Sequence, residues 1–191
     1  MRAPTISPPP SKRRRRLSKS QALPVASVDD HITLYSYNVN GIQPFLQRSI
    51  TSFFERAGSQ EDTPRASLRD FLRRHDWPAM LFLQEVKVSS SDDATKRLIE
   101  QAVSAGSSNI GEPSYVAHLC LPSDKFNARV FGGKLYGVCS IIRKDVYDGS
   151  VVKVRPVGWD SEGRFLVTEM KPNDYRPKLA IINAYMVRKY L

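Results

Sequence analysis

Met80–Leu83 reads MLFL, four apolar residues in a row, and Gln84-Glu85 follows at once. A strand of that composition is stable only when both of its faces are covered, so the sheet that holds it must lie between other layers. Helices are available for one side. Residues 45–56 carry Phe45, Leu46, Ile50, Phe53 and Phe54 at helical spacing, and Ser67–Arg74 places Leu68, Phe71 and Leu72 on one face. Trp77-Pro78 closes that helix. Residues 92–104 form a third, with Asp92 or Asp93 as cap and Ala94, Leu98, Ile99 and Val103 on its apolar side. His31–Val39 alternates apolar and polar residues as a strand does. After the third helix come strand-like stretches at 114–121, 135–142, 150–155, 164–170 and 178–186, separated by Gly-Gly, Asp-Gly and Pro-bearing turns. The order predicts a mixed α/β domain over 29–191 with a partly antiparallel sheet.

Residues 1–28 are of another kind. They hold seven Lys and Arg, no acid, and a Pro8-Pro9-Pro10 run, a composition that predicts a disordered tail. Of the net charge of +10, +7 lies in this tail, so the body is only mildly basic. The cluster at 12–19 (KRRRRLSK) suits nuclear import or nonspecific phosphate binding. A mitochondrial presequence is the alternative address, disfavoured by the prolines. The chain has no apolar run of 18 residues, which predicts no membrane span, and no apolar leader. Cys120 and Cys139 lie in strand-like runs away from any CxxC or His cluster, as buried reduced thiols of an intracellular protein would.

Two strand ends carry candidate chemistry. Asn38-Val39-Asn40-Gly41 closes the first strand with two amides two residues apart, which share a side of an extended chain. By itself this is also a common turn sequence. Glu85 follows the buried MLFL run, where a carboxylate needs a partner. A hard divalent cation is one candidate and Lys87 is another.

Taken together and in order, these segments resemble a known family. Tyr35–Ile42 (YSYNVNGI), Met80–Lys87 (MLFLQEVK), Tyr136–Arg143 (YGVCSIIR), Asp160–Met170 (DSEGRFLVTEM) and Leu179–Tyr185 (LAIINAY) are similar to successive motifs of exonuclease-III-type AP endonucleases. These belong to the endonuclease/exonuclease/phosphatase, or DNase-I-like, family; the chain also resembles DNase-I-like proteins of fungi. The resemblance implies a four-layer α/β sandwich, truncated after roughly its first half, and Mg²⁺- or Mn²⁺-dependent hydrolysis of nucleic-acid phosphodiesters, with DNA as the expected partner. It implies that Glu85 is the metal ligand and that Asn40 lies near the metal. Asn38 would support the centre, and Tyr185 would contact the scissile phosphate. Asp160, Glu162 and Arg164 border the site in structural pairings. Val86 departs from the usual Thr, and Met186-Val187-Arg188 from the usual Val-Pro-Asn. No Gly-Asp-x-Asn occurs, and the Asp30-His31 pair precedes the first strand instead of closing the domain. The resemblance therefore leads one to expect a chain without its base, with little activity and an uncovered apolar inner face. Phosphatase or retroelement-type endonuclease activity on the same fold, or a non-catalytic nucleic-acid-binding module, are the rival readings. No feature points to a specific protein partner.

Overall fold

A computed structural model describes residues 31–46, 67–104, 111–124, 136–174 and 176–186. The basic tail and most of the expected 45–56 helix lie outside them. The elements are β1 (Leu34–Asn38), α1 (Gln43–Leu46), α2 (Leu68–Arg74), β2 (Met80–Gln84), α3 (Asp93–Val103), β3 (Tyr115–Cys120), β4 (Val138–Arg143), α4 (Lys144–Ser150), β5 (Val151–Pro156), β6 (Phe165–Met170) and β7 (Leu179–Ala184). α4 was not expected from the sequence. Its seven residues KDVYDGS contain none that is buried, so no apolar stripe marks it.

The strands form two sheets, one ordered β1-β2-β4-β3 and the other β5-β6-β7. β1 runs parallel to β2, whereas β4 is antiparallel to both β2 and β3. All five residues of β2 are buried, as a two-faced strand requires. Its side chains divide by parity. Leu81 and Leu83 join Leu68, Leu72, Ile99 and Val103 in a core under α2 and α3. Met80 and Phe82 join Ile142, Val151 and Met170 in a second core between the sheets. Cys120, Val138 and Leu166 extend that inter-sheet layer toward the end where β2 and β7 finish.

The described residues thus stack as helices, sheet, sheet. The inner face expected to lie bare is covered at β2 and β4, because β5–β7 build a second sheet against it, whereas Leu34 on β1, in register with Met80, is exposed. Other exposed apolar side chains include Tyr37 on β1 and Val152 and Ile182 on the second sheet. The N-termini of α2 and α3 are specified locally. The Ser67 hydroxyl accepts from the Asp70 amide and the Asp92 carboxylate from the Thr95 amide, each satisfying a donor of the first turn. Trp77 is buried beneath Arg69, whose guanidinium lies 4.7 Å from the indole and pairs with Glu112.

Candidate metal and phosphate site

β1 and β2 end side by side, with Asn38 opposite Gln84. Beyond this point both chains bend but stay hydrogen-bonded. Gly41 N donates to Glu85 O (2.7 Å) and Ile42 N to Val86 O (3.1 Å), while Val86 N and Lys87 N donate to Gly137 O and Tyr136 O. Asn40, Glu85 and Lys87 all adopt left-handed backbone (φ 48°, 54° and 54°). Such conformations in non-glycine residues persist only where the surroundings enforce them, and they concentrate at functional sites. Here the bends aim three polar side chains into one spot. Asn40 therefore does not continue the extended chain after Asn38, and the two amides do different jobs.

The Asn38 amide nitrogen donates to Glu85 Oε1 (2.7 Å), and its oxygen accepts from the Asn40 backbone N–H (3.0 Å). Lys87 Nζ donates to Asn40 Oδ1 and lies 3.7 Å from Glu85 Oε2. Lys87 is thus a partner of Glu85, but a loose one. The Tyr185 hydroxyl lies near enough to the Glu85 carboxylate for each group to shift the other's pKa. The Asn38 hydrogen bond, helped by Tyr185 and Lys87, holds the Glu85 carboxyl below its ordinary pKa against the opposing effect of burial. The Tyr185 phenol is pushed up to about 12 by burial and by the neighbouring Glu85 carboxylate. At neutral pH the pair is a carboxylate facing a protonated phenol.

Tyr185 reaches this spot because β7 is pinned to β2 across the sandwich. Gln84 donates to Ser36 Oγ (3.0 Å) and to Asn183 Oδ1 (2.8 Å). The Asn183 amide in turn donates to Cys139 O (3.0 Å) and Ser140 Oγ (3.3 Å) and approaches Leu83 O (3.5 Å). Gln84, Ser140 and Asn183 are buried, so these bonds lock the registration of the two sheets. Asn183 escaped the sequence reading. Its one outward sign is an amide breaking the apolar run of LAIINAY.

Asp160, Glu162 and Arg164 fall beside the site, not in it. Asp160 accepts from the backbone of Glu162 (3.0 Å), Arg164 (2.6 Å) and Phe165 (2.8 Å), fastening the turn into β6. Glu162 pairs with Arg164, whose guanidinium lies 5.4 Å from the Tyr136 ring and 6.0 Å from that of Tyr185. His75 packs on Tyr35 and Phe71, and His118 stacks on Tyr147.

The oxygens that would hold a cation here are the Glu85 carboxylate and the Asn40 amide oxygen, which Lys87 would have to release. Among the described residues no group of three or more His, Cys, Asp or Glu could hold a metal. One carboxylate with one amide fits a hard cation that keeps most of its waters, as Mg²⁺ does; it does not fit zinc.

No family model matches the sequence, and no curated protein matches it. Solved structures align over most of the chain. One is the AP endonuclease LMAP from Leishmania major, with a TM-score of 0.49 and 18% identity over 82% of this chain and 40% of that one. Another is the Xenopus laevis APE2 catalytic domain, with a TM-score of 0.44 and 16% identity over 82% and 45%. A third is the 3'-5' exonuclease NExo from Neisseria meningitidis, with a TM-score of 0.36 and 16% identity over 81% and 40%. The chain is similar to part of each of these structures. It spans less than half the length of each. At this identity the likeness concerns architecture and says nothing about activity.

Proposed function

We propose that the Glu85 end of the sandwich is the metal-binding part of a phosphodiesterase that acts on nucleic acid. The observation that carries this reading is the meeting of three separate strand ends, bearing Asn38, Glu85 and Tyr185, at the ionised Glu85 carboxylate, whose own backbone is left-handed. Glu85, with the Asn40 amide oxygen, would hold Mg²⁺ or Mn²⁺. Bound there, the cation would neutralise phosphate charge and stabilise the leaving oxygen. Asn38 fixes the rotation of the carboxylate through Oε1, and Oε2 lies 3.7 Å from Lys87 Nζ. Lys87 adds positive charge beside the phosphate, and Tyr185 offers a hydroxyl that remains protonated through the neutral range. The base is proposed to lie outside the described residues, and little or no cleavage is proposed for the chain as given. DNA is the proposed substrate, and the cluster at 12–19 is proposed to direct the protein to the nucleus. A second reading, a nucleic-acid-binding module without cleavage, is favoured by the +7 charge of residues 1–28.

Mn²⁺ titration of the full chain, followed by electron paramagnetic resonance, tests the metal assignment. Glu85→Gln should weaken binding by about tenfold or more; equal affinity in the two proteins would overturn it. Incubation with Mg²⁺ and single-stranded or abasic-site DNA should give at most trace cleavage. Robust cleavage lost in Glu85→Ala would keep the metal site and overturn the assignment of the base elsewhere.

A further inference from the structure

The turn between β5 and β6 carries an aromatic group that the metal site does not use. Trp159 is 74% exposed. Its indole rests against Phe165, with ring centroids 4.9 Å apart and planes at 58°. The turn beneath it is held by the three backbone N–H groups that Asp160 accepts. Trp159, Asp160, Ser161, Glu162, Arg164 and Phe165 line an open cleft of about 300 Å³. Arg164 lines this cleft and borders the candidate site, since its guanidinium lies over Tyr136 and Tyr185. The Tyr185 backbone N–H also donates to Arg164 O (2.9 Å). The cleft and the Glu85 carboxylate are thus neighbours joined through Tyr185.

We propose that this cleft receives a nucleobase, stacked on Trp159, from the same strand whose phosphate lies at Glu85 and Tyr185. The proposal rests on the nucleic-acid reading above and names the contact that would hold the strand. The cleft's charges select the ligand. Asp160 is occupied by backbone donors, and Glu162 pairs with Arg164, so among the residues that line the cleft the one cation is already matched by a carboxylate. What remains is an aromatic face with a polar rim, which matches the flat surface and hydrogen-bonding edge of a base. Every base has such a surface, so the contact tolerates sequence.

The protein's two tryptophans make the test direct, because Trp77 is buried and Trp159 is not. The full chain, without divalent metal and at salt high enough to suppress binding by the basic tail, is titrated with an oligothymidylate. Trp159 emission should be quenched. Trp159→Ala should bind about tenfold more weakly, and Trp159→Phe should bind nearly as well as the parent. A strand of equal length made of abasic sugar-phosphate should bind parent and Trp159→Ala alike. The inference is overturned if Trp159→Ala binds oligothymidylate as the parent does, or if the abasic strand quenches equally. It is also overturned if emission changes with protein concentration alone, which would mean that a second copy covers the indole. Trp159 is too exposed for its loss to unfold the domain, and a circular-dichroism melt of each variant verifies this. The Mn²⁺ titration reads Glu85 without reference to Trp159, so failure of one assignment is separable from failure of the other.

Discussion

A carboxylate at the end of a fully buried strand must find partners, and Glu85 finds Asn38, Tyr185 and Lys87. Asn38 donates to it and the Lys87 ammonium lies close by, so the group is held below its ordinary pKa. The cost appears in the backbone, where Asn40, Glu85 and Lys87 share the left-handed region. Asn183 supports the arrangement from behind. Asn183→Ala would leave the buried Gln84 amide short of an acceptor and remove two or three further bonds. An unfolding free energy lower by about 1–3 kcal/mol is expected, read from urea denaturation. Because Asn183 precedes Tyr185 by two residues, the same variant should also weaken Mn²⁺ binding. A variant with parental values for both would show that the inter-sheet amide is dispensable.

At the scale of elements, turns decide where strands begin. Gly163 has φ 70°, and a Cβ there would lie 2.6 Å from Leu121 C and 2.8 Å from Pro122 N. Those are backbone atoms at the end of β3 and have no rotamer by which to yield. Gly163→Ala should therefore destabilise the domain by well over about 1 kcal/mol, the cost of the backbone conformation alone. Gly149, inside α4, meets nothing within 4 Å and has ordinary φ. Gly149→Ala should stabilise by about 0.5–1 kcal/mol. Paired urea titrations that failed to show opposite signs would contradict this placement of the two glycines. β2 was visible in the sequence because its apolar run announces burial, and β1 because it alternates apolar and polar residues, although all five of its residues are exposed. α4 was not, since a short exposed helix has no stripe to read.

For the whole molecule, three stacked layers account for both faces of β2 and for the two cores. No helix among the described residues is long and apolar enough to cross a membrane. The charge is divided between a body of net +3 and a tail of net +7. Deleting residues 1–20 removes all seven tail cations. The slope of log affinity against log salt for duplex DNA should flatten by up to about six. Fluorescence anisotropy across a salt series measures it, and an unchanged slope would place the phosphate contacts on the body.

The sequence by itself determined which faces are apolar and which side chains are available for chemistry. MLFL demanded cover on both sides, and the ordered motifs brought Asn38, Asn40, Glu85 and Tyr185 to notice. Which of these groups meet was decided by tertiary structure. Asn38 and Glu85 are 47 residues apart, and Gln84 and Asn183 are 99 apart. Their contacts depend on strand registration and on how one sheet lies over the other, neither of which is encoded in local periodicity. Glu85 was legible as a carboxylate needing a partner. Lys87 proved to be only a loose partner, and that leaves the carboxylate available to a cation, because the left-handed turns at Asn40 and Lys87 draw the lysine toward the Asn40 amide.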